Sequence, residues 1–212
     1  MHIYAFGSLC RGDVTKGSDA DLLAIVDGHD SRFDPEAFSI YSYERIKELW
    51  HEGNPFAWHL ALESRLLYSS DQHDFLKDLG NPAEYKNCVR DCEKFFALFR
   101  EASASIVSGG NSMVFNLSTT FLSIRNLATC FSLGIGKSPD FSRSSALHLG
   151  PNRIPISQSS YQILERSRIL CTRGSGADVS HAEADSVVRE LDAIEKWMDS
   201  LLAEARNNGR VQ

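Results

Sequence analysis

Between Phe6 and Leu23 the sequence reads F-G-S-L-C-R-G-D-V-T-K-G-S-D-A-D-L-L. Two features in it could do chemistry together. Gly7-Ser8 follows the short apolar and aromatic run of residues 2–6, so a strand runs straight into a turn. Glycine lets the backbone approach a phosphate, and the N–H groups freed there can donate to its oxygens. The Ser8 hydroxyl adds another donor. Further on, Asp19 and Asp21 flank Ala20. On a strand, side chains at i and i+2 point the same way, so the two acids project together while Ala20 faces the core. Two hard oxygen ligands side by side suit Mg²⁺ or Mn²⁺, completed by water and substrate phosphates. Without a cation the pair would repel and one acid would titrate high. With one, it becomes a phosphoryl-transfer device. Arg11, near the turn, either neutralises phosphate charge during transfer or is a surface arginine paired with Asp13. Lys16 reads as solvated.

The combination of Gly7, Ser8, Asp19 and Asp21, with Arg11, Gly12, Ser18 and Leu22 in between and around, resembles the DNA polymerase beta-type nucleotidyltransferase superfamily. Gly-Ser, a spacer and Asp-x-Asp form its signature. The likeness covers the first 30 residues closely. A looser pattern at Gly53, Phe56, His59, Leu60, Glu63, Leu67 and Tyr68 is similar to small bacterial members. The resemblance implies that Gly7, Ser8, Arg11 and Ser18 bind nucleotide. It implies that Asp19 and Asp21 are catalytic metal ligands. It further implies transfer of a nucleoside monophosphate from a nucleoside triphosphate to an acceptor hydroxyl, with release of pyrophosphate. The acceptor, whether small molecule, protein or RNA end, is left open.

Active members of that superfamily usually carry a third acid on the next strand. The matching strand is Phe38-Ser39-Ile40-Tyr41-Ser42, where Ser39 or Tyr41 occupies the position and neither is acidic. Glu36 before the strand, Glu44 after it and Glu63 on a later helix could swing in, but each reads first as an ordinary surface glutamate. Two outcomes follow. The base can come from the helical half, as in aminoglycoside nucleotidyltransferases, where the following domain helps bind the acceptor. Alternatively the protein is a regulator, similar to an antitoxin, that binds nucleotide or a partner with impaired turnover.

The elements that must position these residues divide the chain. Residues 2–6, 19–27, 37–42 and 65–68 read as strands, and 43–52 and 56–63 as helices, with Ser42 as an N-cap. From Pro82 the pattern turns helical. Long helices are expected over 83–107, with Pro82 in the first turn, and over 112–133, 158–172 and 180–206. The expected architecture is α+β: a small mixed-sheet nucleotidyltransferase-type domain at 1–80, then an all-α bundle at 81–212 packed against it. The bundle would shape the acceptor site or a homodimer interface.

Other residues carry less. Arg125, in an apolar helix face, needs a partner: an acid, or a ligand in a cleft between the halves. With Asn126 it is similar to the arginine-centred site of HEPN ribonucleases, which requires a histidine near 130–132. Cys130, Phe131 and Ser132 stand there, so that likeness fails. Arg143 and His148 would contact a second substrate or sit on a helix surface. His59 reads as a packed or capping histidine, and Trp50, Trp58 and Trp197 as core. Cys10, Cys88, Cys92, Cys130 and Cys171 read as reduced thiols, with Cys88 and Cys92 on one helix face. No C-x-x-C, H-E-x-x-H, G-x-S-x-G or Walker A pattern is present.

With 22 basic and 28 acidic residues, the net charge of -6 excludes a general nucleic-acid coat protein. No apolar run approaches a membrane span, and residues 1–8 lack the pattern of a signal peptide. A cytoplasmic protein without a membrane partner is expected.

Overall fold

The computed structural model describes residues 1–13, 20–28, 30–110, 112–136 and 138–208. The fold is α+β, and the chain divides into two compact units, Met1–Lys86 and Asn87–Gln212.

In the first unit the elements run β1 (His2–Phe6), α1 (Ser8–Arg11), β2 (Asp21–Val26), β3 (Phe38–Ser42), α2 (Tyr43–His51), α3 (Pro55–Glu63), β4 (Ser64–Ser69) and α4 (Phe75–Asp78). The sheet order is β3-β2-β1-β4. β1 pairs antiparallel with β2 and β4, and β2 pairs parallel with β3. The two-residue period sends Tyr4, Phe6, Leu23 and Ile25 to one face. There they meet Ile46, Leu49 and Trp50 of α2, Ala57 and Leu60 of α3, and Leu76 of α4. Ala24 and Val26 go to the other face with Phe33. Burial on both faces explains why Leu23–Val26 is an unbroken apolar run. Ser42 Oγ caps α2 by accepting from Arg45 N, and Asn54 caps α3 by accepting from Phe56 N.

Three details depart from the sequence reading. Helix α4 was not expected; Tyr4 holds it, donating its hydroxyl to Asp74 and accepting from Leu76 N. Pro82 does not open a helix. Residues 81–87 are irregular, and α5 (Cys88–Val107) starts later. Within the first unit that segment is tied to α2 and α3: Ala83 N donates to Trp50 O at 2.9 Å, and Trp58 Nε1 donates to Ala83 O at 3.0 Å. Gly53, at φ +62°, lies where a side chain would run into the carbonyls of Ala83 and Glu84. Trp58, expected in the core, is only half-buried, its indole N–H spent on the Ala83 carbonyl, whereas Trp50 and Trp197 are core.

The second unit continues from α5 with α6 (Met113–Gly134), α7 (Gln158–Arg173), α8 (His181–Val188) and α9 (Leu191–Asn208). α6 packs against α5, α7 and α9. It buries Leu117, Phe121, Ile124, Leu127 and Phe131 alongside Thr120 and Ser123. Those two hydroxyls donate back to the carbonyls of Asn116 and Thr119, which makes their burial tolerable. The single helix expected over 180–206 is two. It breaks at Arg189-Glu190, where Glu190 accepts from Ser157 N and from the Ser157 and Ser160 hydroxyls at the start of α7.

All five cysteines are free thiols, and Cys88, Cys92 and Cys130 are buried. Among the described residues no helix is long and apolar enough to cross a membrane.

Candidate active site

β1 and β2 end their pairing at Phe6 opposite Asp21, and the chain turns at once. Gly7 takes φ +72°, ψ -139°, a conformation essentially reserved for glycine, and caps α1 without a side chain. A Cβ on Gly7 would stand 2.6 Å from Asp21 Oδ2. The bend and the carboxylate are thus brought together, and a side chain at Gly7 would push the acid aside. α1 is a single turn: Cys10 N and Arg11 N both donate to Gly7 O, and Gly12 ends the turn in the left-handed region. The first N–H groups of such a turn have no carbonyl within the helix to receive them. Ser8 opens the turn and is partly exposed.

Asp21 is exposed and opens β2, on the same face as Leu23 and Ile25. Ala20 is also exposed and precedes the strand. The expectation that Ala20 faces the core is therefore wrong, because β2 begins one residue too late to bury it. Asp19, Ser18 and Lys16 lie outside the described residues. Among the described residues no three His, Cys, Asp or Glu side chains are grouped to hold a metal ion. What does fit a divalent cation is a hard oxygen ligand, exposed, beside a backbone cradle that a Cβ would fill.

β3 carries the two positions weighed for a third acid. Ser39 pairs with Leu23 and Tyr41 with Ile25, so both share Asp21's face. Tyr41 packs on Phe56, with ring centroids 5.5 Å apart, and belongs to the core. Ser39 is exposed, one strand across from Asp21's own strand. Of the two positions weighed for a third acid, this one presents a hydroxyl. Glu36 and Glu44 are exposed, as expected.

Glu63 is not a surface glutamate. Its side chain is 14% exposed; Oε2 accepts from Arg11 Nη1 and lies 3.0 Å from His59 Nε2. Arg11 Nε donates to Asp13 at 3.1 Å. Burial, the largest effect, opposes the Arg11 charge, but the bonds to Glu63 and Asp13 outweigh it and raise its pKa above the ordinary value. His59 is packed, its ring edge-on to Phe6 at 5.5 Å. The sequence pattern named His59 and Glu63 but gave no sign that they reach back across 52 residues to Arg11. Cys10 sits on the same turn, and burial pushes its thiol up, away from thiolate character.

In the second unit the polar residues singled out from sequence serve the chain itself. Arg125 donates to the carbonyls of Phe141 and Ser142. Arg143 lies on a turn rather than a helix surface, and its carbonyl accepts from Tyr161 Oη at 2.6 Å. His148 Nδ1 lies 2.6 Å from Asp140 Oδ2.

No curated protein and no solved structure matches the chain. Residues 2–78 match the family model of the nucleotidyltransferase domain.

Proposed function

Starting from a nucleotidyltransferase domain at residues 2–78, we propose that this protein transfers a nucleoside monophosphate from a nucleoside triphosphate to an acceptor hydroxyl and releases pyrophosphate. The observation that carries the reading is the glycine-only bend at Gly7 with the Asp21 carboxylate directly beside it. The backbone N–H groups at the start of α1 and the Ser8 hydroxyl bind phosphate oxygens. Ser18 completes this set. Arg11 opposes the negative charge that builds on the phosphates. Asp21 and Asp19 would hold Mg²⁺ or Mn²⁺, which supplies charge neutralisation and in-line alignment when bound. The acceptor oxygen attacks the α-phosphorus, the bond to the β-phosphate oxygen breaks, and the acceptor proton passes to water. Positioning and electrostatics supply the rate. A cytoplasmic location and a homodimer through the helical unit accompany this reading.

A second reading has its own observation. Ser39, exposed on Asp21's face, supplies no carboxylate. Loss of one metal ligand weakens turnover more than nucleotide affinity, which suits a nucleotide-sensing or partner-binding regulator.

Transfer assays with each α-labelled nucleoside triphosphate and with protein, RNA and aminoglycoside acceptors separate the two. Label transfer that is abolished in Asp21→Asn supports the enzyme. Nucleotide binding without transfer to any acceptor supports the regulator, and no binding of any of the four sinks the enzyme and the nucleotide-sensing regulator alike.

A further inference from the structure

Arg11 is held by two carboxylates that differ in kind. Asp13, two residues on, has a side chain that is 62% exposed; Glu63, on α3, is 14% exposed; Arg11 itself is 20% exposed. An ion pair with an exposed partner contributes under about 1 kcal/mol and exchanges readily. The Glu63 pair is partly buried, so solvent screens it less than the Asp13 pair and it is the costlier of the two to break. His59 Nε2, one helical turn earlier on α3, lies 3.0 Å from the same Glu63 carboxylate. Arg11 uses Nε for Asp13 and Nη1 for Glu63, which leaves Nη2 engaged with neither. Arg11 and Ser8 are three residues apart on the α1 turn and so lie on one side of it.

We propose that Asp13 is a built-in stand-in for substrate phosphate: a nucleoside triphosphate displaces Asp13 from Arg11, while Glu63 keeps the guanidinium in place. The inference rests on the nucleotide-site reading above. Glu63 is then a positioning residue that fixes Arg11 before the ligand arrives, so less side-chain freedom is lost on binding. Asp13 is a competitor that satisfies Arg11 while no phosphate is there. The device gives the two carboxylates on one arginine opposite effects on affinity. Simple relief of charge repulsion would give them the same effect, because neutralising either acid removes one negative charge near the phosphates.

The test is calorimetric titration of the Mg²⁺ complexes of ATP, GTP, CTP and UTP into the full-length wild type, Asp13→Asn, Glu63→Gln and Glu63→Asp. Asp13→Asn is expected to tighten binding about two- to fivefold, the worth of an exposed pair. Glu63→Gln is expected to weaken it by about fivefold or more, from the entropy of an unfixed arginine. Glu63→Asp keeps the charge but withdraws it by one methylene, and it should also weaken binding. In an Arg11→Ala background the Asp13→Asn and Glu63→Gln shifts should each fall below about twofold. Shifts of the same sign for Asp13→Asn and Glu63→Gln, or shifts that persist without Arg11, overturn this inference alone. A wild type that binds none of the four nucleotides overturns the nucleotide-site reading, and this inference with it.

Discussion

Two irregular stretches, one in each unit, use their polar groups in opposite ways. The bend from Gly7 to Asp13 is held by a few backbone bonds and by Arg11's two acids. It leaves Asp21 exposed. The stretch from Asp140 to His148 is pinned throughout. Thr129 Oγ1 donates to Asp140 O, and Asp140 N donates to Ser132 Oγ. Arg125 takes the carbonyls of Phe141 and Ser142, Tyr161 takes that of Arg143, and Asp140 accepts from Ser142 N. A group already committed to its own loop must lose that bond to serve a ligand. The second stretch therefore reads as architecture, although its Asp140, Arg143 and His148 look as chemical as the first. The first stretch leaves the Asp21 carboxylate exposed beside the Gly7 bend, and that is where the proposed function is placed.

Substitutions can break or sharpen this contrast. Asp21→Asn should have the largest effect: a fall in label transfer on the order of 10²–10³-fold. Its melting free energy should stay within about 0.5 kcal/mol of wild type, because the side chain is exposed. Gly7→Ala should cost about 1–3 kcal/mol in denaturant melts, from a conformation that alanine avoids. It should also lose nucleotide binding, as the new methyl displaces Asp21. Tyr161→Phe should cost about 1 kcal/mol of stability by leaving the Arg143 carbonyl without its donor. Its transfer rate per folded molecule should be unchanged; a drop would mean that the pinned stretch takes part in chemistry.

The smallest effect is a pH dependence. Burial, the largest influence on Asp140, raises its pKa, but the bonds from Ser142 and His148 together bring it below the ordinary 3.8. A lowered folded-state value means that stability is present in full above the unfolded value and is lost as pH falls through the folded one. From about pH 5 to about pH 3 the wild-type melting temperature should therefore fall more steeply than that of Asp140→Asn. Parallel curves would show that Asp140 contributes nothing through its charge.

Much of the first unit was legible from sequence because its elements follow from local pattern. The run Leu22–Val26 is apolar enough to need burial on both sides, and Gly7-Ser8 marks the end of β1. Ser42 sits where a helix cap belongs. What was not legible comes from contacts distant in sequence. Pro82 looks like a helix start, yet the segment around Ala83 is drawn onto Trp50 and Trp58. The break at Glu190 carries no glycine or proline; its cause is Ser157, 33 residues away. At the site, Gly7 and Ser8 could be read from their spacing, and Asp21 from its motif. The grip of Glu63 on Arg11 could not, because no local pattern tells an exposed glutamate from one folded back on a distant arginine. The second unit gave its helices through their 3.6-residue period, but its arginines and histidine read as candidates until the carbonyls they serve came into view.

The central claim is that Asp21 beside the Gly7 bend holds a divalent ion together with a triphosphate. Mn²⁺ titration followed by electron paramagnetic resonance, with and without each of the four nucleoside triphosphates, tests it most directly. The wild type should immobilise Mn²⁺ in a nucleotide-dependent manner, and Asp21→Asn should require at least about tenfold more metal for the same signal. Equal uptake by the two proteins would contradict the account.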